Sequence, residues 1–493
     1  MGAIALLLLA GSQAAAQSGL GHLEDATVVP RGLFRLRAIT VWSRFDSRFT
    51  ATGEEPLGAP FTSSALGRSQ IAALGTIDSL VSSAAAQPFS LSLGQSRLDA
   101  RGRHEIVPIG VEYGLTRRLT VGVMVPVVRK RVAVQLRLDS TGANVGPNLH
   151  RTAAGAATTN TLVQTQFTDA ATQLQNRLAS CNANPAGAGC AALLARQSDA
   201  LALIAASQSF ASSVGSLYGT STGNGQAFVP TAGSPAQTEI ALRVAAFNAQ
   251  YRDLLESGSD LITAVPVGAG GPAGLAQLQD YLTNELGGDS IATEERSGIG
   301  NVEVGVKALL IDRPRTETSA FAMRITANLL ARIATSSQQS PSPIADLRLD
   351  DGRHGVDGRL ALDLLAGRVG LLSVAGFAVS TSSEPVILNE TAGARIQRSP
   401  DDHVLTVHVA PRVHLSSLFA IHAAYSMHSG NTSGAAQLIG GGVSYSTLPD
   451  FGAGRSLPME MRYTHLESLS GPLGEPKYQR DQLELRIYFG RAR

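Results

Sequence analysis

Charge is scarce in this chain. Asp, Glu, Lys and Arg make up 16% of its 493 residues, and 40 basic against 39 acidic side chains leave a net charge of +1. Without a clustered basic excess there is no electrostatic footprint for a nucleic-acid partner. Two cysteines cannot build a disulfide-rich scaffold or a four-cysteine zinc site. Tryptophan occurs once, and beyond the N-terminus no run approaches the roughly 18 apolar residues that a membrane-spanning helix needs. What is plentiful is glycine, at 51 residues, in a composition that is 44% hydrophobic. Little charge with much Gly and Ala is unusual for a cytosolic enzyme of this size and points to an exported protein.

The first residues agree with export. Ala3 to Ala10 form a short apolar run, and Ala14-Ala15-Ala16 stand before Gln17, the pattern of a secretory signal with its cleavage site. Residues 1–16 are therefore expected to be a cleaved signal peptide. No cysteine follows the site to carry a lipid, so the mature chain is expected to have no helical or lipid anchor.

From about 104 to 138, and again from 298 to the C-terminus, the chain consists of segments with period-2 hydrophobicity separated by turn residues. Leu119, Val121, Val123, Val125 and Val127 share one parity, and Val132, Val134, Leu136 and Leu138 the other, which predicts a β-bulge near Arg129-Lys130. Similar alternation runs through Val302 to Ala308, Ile325 to Ile333, Leu360 to Leu364, Leu405 to Val409, Met459 to Tyr463 and Leu483 to Phe489. A soluble sandwich alternates too, but its strands are typically about 5–6 residues long, whereas a membrane strand needs about 9–11 with its apolar face outward.

Strands are expected near 32–44, 104–114, 119–138, 298–312, 317–333, 356–366, 370–383, 402–412, 417–428, 437–446, 455–466 and 478–490, an even number. Their connections alternate between short, as at Leu115 to Arg118 and Leu415 to Ser417, and long, as at 45 to 103 and 139 to 297. That alternation is the habit of outer-membrane barrels, with short turns on the periplasmic side and long loops outside. The expected fold is thus an all-β transmembrane antiparallel β-barrel of about 12 strands with a mainly α-helical extracellular insert. Phe489, near the end of the last strand, is where the outer-membrane assembly machinery would engage it, although Gly490-Arg491-Ala492-Arg493 follow.

The insert, 139–297, divides the barrel into 17–138 and 298–493. It is rich in Ala and Gln and switches to helical periodicity: Val163, Phe167, Leu174 and Leu178 share one face, as do Ile240, Val244, Phe247, Tyr251 and Leu255, and more briefly Leu275, Leu278 and Leu282. Helices are expected near 160–180, 190–207, 236–257 and 273–287. In an oxidising compartment Cys181 and Cys190 should form a disulfide stapling the first two. The insert is expected to cap the barrel or to plug its mouth.

Two stretches, Tyr113-Gly114-Leu115-Thr116-Arg117-Arg118-Leu119-Thr120-Val121-Gly122-Val123 with Pro126 and Gly298-Ile299-Gly300-Asn301-Val302-Glu303-Val304-Gly305-Val306-Lys307, resemble the MetA-pathway phenol-degradation family of outer-membrane transporters. The resemblance covers these hairpins and the barrel cadence, about a third of the chain, and Asn301 stands where that family is usually acidic. It implies passage of small compounds, hydrophobic or aromatic ones included, across the outer membrane.

The candidate site residues are the charged side chains of inward parity: Arg35, Arg37, Glu112, Glu303, Lys307, Arg324, Arg332, Arg359, Asp363, Arg412, Glu460, Arg462, Glu484 and Arg486, with His408 and His422. In a narrow lumen they would neutralise one another; in a wider one the arginines would favour anions. A hairpin turning at Leu415 would set His408 opposite His422, but two histidines without a third ligand make no convincing metal site. Gly298-x-Gly300 and the run Gly268 to Gly274 lack a strand-to-helix context for a nucleotide. No metal, cofactor or catalytic residue is expected. The expected partners are outer-membrane lipid and lipopolysaccharide, the assembly machinery and a small solute, with no nucleic acid. Two other classes stay open: a structural or adhesive barrel that displays the insert, and an outer-membrane lipid hydrolase, for which His465 has outward parity near an outer strand end but no convincing Ser/His/Asp grouping accompanies it.

Overall fold

The computed structural model describes residues 25–286, 291–314, 321–336, 352–381, 386–388, 396–398, 403–430, 435–448 and 458–490. The expected signal peptide lies outside them. Twelve antiparallel strands form the barrel: β1 (Leu33–Phe45), β2 (Gln95–Gly114), β3 (Leu119–Asp139), β4 (Val302–Arg313), β5 (Phe321–Ile333), β6 (Gly355–Ala366), β7 (Val369–Ser380), β8 (His403–His414), β9 (Phe419–Ser429), β10 (Ala436–Ser446), β11 (Met459–Ser470) and β12 (Gln479–Gly490). Each pairs with its sequence neighbour, and β1 pairs with β12 from Leu33↔Gly490 to Arg44↔Gln479, so no edge is left open. Closure is what lipid demands, because an unpaired N–H or C=O has no water to turn to there. A further short strand, Glu294–Ile299, continues the β4 edge of β3 along Val127–Val132.

The side chains are distributed inside out. Phe34, Leu36, Val123, Val306, Leu329 and Phe377 lie exposed on the outer wall, while Arg35, Arg37, Glu484 and Arg486 are buried on the inner one. Aromatic rings edge the short-turn end, where Phe34 contacts Tyr113 at 4.7 Å and Phe489 at 5.6 Å, and Phe419 contacts Tyr445 at 4.9 Å. The sole tryptophan, Trp42, faces out at the other end of β1. From Phe34 to Trp42 the strand climbs roughly 26 Å along itself, and about 20 Å along the membrane normal at a tilt of about 40°. This matches the apolar band of a transmembrane barrel.

The β2–β3 hairpin corrects two expectations. No bulge interrupts β3: its register with β2 is continuous from Gln95↔Asp139 to Gly114↔Thr120. The apolar parity changes because the environment does. Below Arg129 the outer face meets lipid, so valines point out; above it the hairpin projects beyond the membrane, so Val132 and Leu136 point in and Arg129, Arg131 and Arg137 point to water. For the same reason β2 begins at Gln95 rather than 104: Arg97, Asp99, Arg101 and Arg103 alternate with inward Leu98, Ala100 and Gly102. At Gly102 a Cβ would strike the Phe45 ring, at about 2.0 Å, so only glycine lets that ring lie flat on the wall.

The projecting wall carries the insert. Helices α1 (Gly75–Ala85), α2 (Ala154–Ala183), α3 (Cys190–Ala195), α4 (Gln197–Tyr218), α5 (Pro235–Leu255) and α6 (Leu275–Asp280) share one core with the inward residues Phe45, Leu98, Val132 and Leu136. Its centre is a triad of rings, with Phe167, Phe210 and Phe247 at 5.2 to 5.7 Å from one another. The faces expected for α2 and α5 are buried: Val163, Phe167, Leu174 and Leu178 on one, Ile240, Val244, Phe247 and Tyr251 on the other. Helix α1, within the β1–β2 loop, was not expected. Arg243 of α5 secures it, lying 4.9 Å from the Phe210 ring centre and donating to the Ser83 and Ala84 carbonyls at 2.7 Å.

Cys181 and Cys190 are bonded, with Cα atoms 5.1 Å apart, and tie the end of α2 to the start of α3. Closing so short a loop removes chain entropy worth about 2–3 kcal/mol from the unfolded insert. Reduction, or the Cys181→Ser/Cys190→Ser pair, is expected to lower the thermal midpoint of the helical circular-dichroism signal while the barrel keeps its heat-modifiable mobility on gels; an unmoved helical midpoint would refute the staple.

Candidate functional site

The barrel interior is divided by chemistry. On the side built from β11, β12 and β1 to β4, the period-2 pattern sends charges inward and the register sets opposite signs side by side. Arg37 stands directly opposite Arg486 across the β1–β12 seam, and both converge on Glu484, two residues along β12: Arg37 Nε donates to its Oε1 at 2.5 Å and Arg486 Nε to the same oxygen at 2.8 Å. Arg35 pairs with Glu112, directly opposite on β2. Tyr488 Oη donates to Glu460 at 2.8 Å, and Glu460 lies 3.6 Å from Arg486. Arg37, Glu484 and Arg486 are at most 3% exposed.

The hub of this network was not foreseen. Asp25, ahead of β1, lies inside the barrel, where its carboxylate pairs with Arg486 and stands 3.6 Å from Arg462. Its carbonyl oxygen accepts from Lys307 Nζ at 3.1 Å. Burial pushes this carboxyl up, but Arg486, aided by Lys307, Arg462 and Arg35, prevails and holds it well below the usual carboxylate range. The segment Asp25–Pro30 thus enters from the short-turn end. Val29 N donates to Thr120 Oγ1 at 2.9 Å, and Gly114 lacks the Cβ that would collide with the Pro30 carbonyl, at about 2.1 Å. One acid in an unpatterned stretch carries no periodic signal, which is why the sequence does not reveal it.

The opposite side is apolar and small. Ala26 is fully buried against Ala361, Leu372, Val374, Ala410, Ala424, Leu438 and Leu466, which project inward from β6 to β11. Glycines such as Gly376, Gly440 and Gly442 share that wall.

The remaining candidates are more dispersed. Asp363 accepts from Arg412 at 2.5 Å, Arg359 pairs with Asp357 on its own strand, and Glu303 lies 3.9 Å from Arg332. Arg324 sits near the short-turn end, 45% exposed and 3.1 Å from Asp312. Arg480, buried and of the same parity as Arg486, belongs with the candidates, as does Lys130 on β3; the supposed bulge hid the second.

The histidine expectation is corrected. The β8–β9 turn centres two residues later than supposed, so His408 faces Ser426 and His422 faces Arg412. His408 Nδ1 is 2.7 Å from Ser426 Oγ and His422 Nε2 is 2.9 Å from Thr464 Oγ1, so each ring has a hydroxyl partner. Asn301 is buried, its Oδ1 facing the Thr335 and Ser336 amides at 3.2 and 3.3 Å and its Nδ2 donating to the Arg353 carbonyl at 3.3 Å. An amide satisfies both demands at once, which an acid does not.

Fold and interior together define a closed twelve-stranded transmembrane β-barrel with an occupied lumen. No protein-family profile matches the chain, and no curated protein does. Among solved structures it is similar to an outer membrane channel from Pseudomonas putida F1, at 9% identity and a TM-score of 0.43, over 95% of this chain and 99% of that one. It is similar also to the Ralstonia pickettii toluene transporter TbuX, at 9% identity and 0.31, over 98% and 95%. The translocator domain of the autotransporter NalP from Neisseria meningitidis follows at 5% and 0.29, over 94% and 90%. These are likenesses of architecture at low identity.

Because Glu484 is shared by two buried guanidiniums, removing it strands both. Glu484→Leu is expected to cost about 3–5 kcal/mol, read as a lower urea midpoint of the refolded barrel by Trp42 fluorescence. An unchanged midpoint would mean that the cluster is solvated.

Proposed function

We propose that this protein is an outer-membrane channel for small solutes, hydrophobic or aromatic compounds included, whose lumen is closed at rest by the segment Asp25–Pro30. The observation that carries this reading is the way the segment is held. A barrel that served only as a scaffold would fill its interior with wall side chains. Here a separate length of backbone occupies the space, fastened by the Asp25 carboxylate to Arg486 and Arg462 and by hydrogen bonds to Lys307 and Thr120, and laid against a smooth wall of Ala, Leu and Val. Moving it would uncover a passage with arginines on one side and small apolar groups on the other, suited to a solute that is partly polar and partly hydrocarbon. The sequence resemblance to the MetA-pathway transporters supports the same class of solute. The lumen-facing charges named above are the residues this passage would use, and the insert of 139–297, outside, covers its far mouth.

A cleft of about 50 Å³ lies where β3 meets β4. Gly122 faces Gly305 there, and the neighbouring side chains of Glu112 and Leu330 occupy the room that the two missing Cβ atoms leave, 2.8 Å and 2.3 Å from where those atoms would stand.

The hydrolase alternative has the weaker geometry. His465 is outward on β11, with Nδ1 2.9 Å from Asp481 and Nε2 3.5 Å from Glu467, so both ring nitrogens face carboxylates rather than a nucleophile.

Single-channel recording in planar bilayers tests the proposal. The intact chain is expected to show rare, small openings, and deletion of residues 25–30 or Asp25→Leu to raise conductance or open time by about ten-fold or more. A wild-type trace already open, or a deletion that stays silent, would refute the gating role. The pH dependence has a definite sign. A carboxylate whose folded pKa is depressed contributes its full stabilisation above the unfolded value of about 4 and loses it as pH falls through the folded value. Openings are therefore expected to be insensitive between pH 8 and about 5 and to increase only in stronger acid, and Asp25→Asn is expected to abolish that increase.

A further inference from the structure

Three arginines form a row across the outer face of the projecting wall. Arg44 on β1 is the register partner of Arg103 on β2, and Arg103 is the register partner of Arg131 on β3. All three are exposed. Directly opposed residues of an antiparallel pair have their Cβ atoms about 4.5–5.5 Å apart, and like charges placed so are destabilising. The wall tolerates this although acidic residues are at hand. Glu295 is 3.9 Å from Arg131, but its closer partner is Arg129, at 2.7 Å. Glu105 lies one step lower, between Trp42 and Arg129. Among the described residues Arg44 and Arg103 form no ion pair within 4 Å; the acid that feels Arg44 is Asp481, opposite Trp42 on β12, and it is already engaged by His465 and Tyr463.

The height of the row indicates what lies against it. It stands one step above Trp42, the interfacial aromatic at the upper edge of the apolar band, and directly over the outward Val107, Ile109, Val111, Val123 and Val127. A groove of lipid-facing aliphatic side chains surmounted by a row of guanidiniums is complementary to a lipid with acyl chains below and phosphates above. Guanidinium groups bind phosphate in a bidentate manner and are weakly hydrated, so three in a row give both charge and geometry. We infer that Arg44, Arg103 and Arg131 form a binding site for the phosphate groups of an outer-leaflet glycolipid of the lipopolysaccharide type. The inference rests on the reading that the projecting end faces outward, and not on whether the lumen conducts.

Trp42 makes the site observable, being the sole tryptophan and two residues from Arg44. The refolded full-length protein in neutral detergent would be titrated with diphosphoryl lipid A, monophosphoryl lipid A, phosphatidylglycerol, phosphatidylcholine and inorganic phosphate while its emission is followed. Diphosphoryl lipid A is expected to give a saturable change at the lowest concentration, weakened by salt, with half-saturation raised about ten-fold or more in the Arg44→Gln/Arg103→Gln/Arg131→Gln variant. Should that variant not regain heat-modifiable mobility, Arg103→Gln alone, at the centre of the row, is expected to raise half-saturation about three-fold. An unshifted titration in a folded variant, or an equal response to phosphatidylcholine or inorganic phosphate, overturns the site. Preference for phosphatidylglycerol over lipid A overturns the outer-leaflet assignment. A silent channel in the bilayer leaves these results as they stand, so the two failures are distinguishable.

Discussion

Every backbone amide that enters hydrocarbon must find a protein partner there, and the rest of this structure depends on that requirement. It compels the first strand to meet the last, and the β1–β12 seam is made by pairing Leu33 through Arg44 with Gly490 through Gln479. Closure in turn creates an inside. Because side chains alternate along each strand, the seam that satisfies the backbone also sets Arg37 opposite Arg486, with Glu484 accepting from both, and Arg35 opposite Tyr488. The ion network of the lumen is thus a consequence of closure, assembled from strands at opposite ends of the chain.

The same alternation serves two solvents. On β3 the apolar residues pass from the outward to the inward parity at Arg129 without a change of register, since lipid surrounds the lower half and water the upper. Above the membrane the inner face becomes an ordinary hydrophobic surface, and Val132 and Leu136 there join Phe45 and Leu98 as the floor on which α1 to α6 pack. Barrel and insert therefore share a core. The insert is seated on the inward residues of the wall that β2 and β3 extend, rather than folded about a core of its own.

The lumen combines a stiff charged side with a smooth apolar one, and Asp25–Pro30 touches both. Its strongest tether is the Asp25 carboxylate among several guanidiniums, joined by the hydrogen bonds of Lys307 to the Asp25 carbonyl and of Val29 N to Thr120, while Ala26 fits against small residues. Outside, the row Arg44–Arg103–Arg131 reflects the same economy: unfavourable among themselves, these charges are placed where an anionic surface would compensate them.

Much of this was legible in the sequence because period-2 hydrophobicity is local. The twelve strands, the buried faces of α2 and α5 and the inward positions of Arg35, Arg37, Glu112, Glu484 and Arg486 follow from spacing, and the disulfide from two cysteines in an exported chain. What spacing cannot encode is the height of a residue relative to the bilayer, which is why the inversion on β3 reads as a bulge and the upper half of β2 as loop. Nor can it give the register of a hairpin to better than the centre of its turn, and a shift of two residues there separates His408 from His422. The place of Asp25 was decided only by the tertiary structure, since an isolated carboxylate before the first strand acquires its partners from β4, β11 and β12 once the barrel has closed around it.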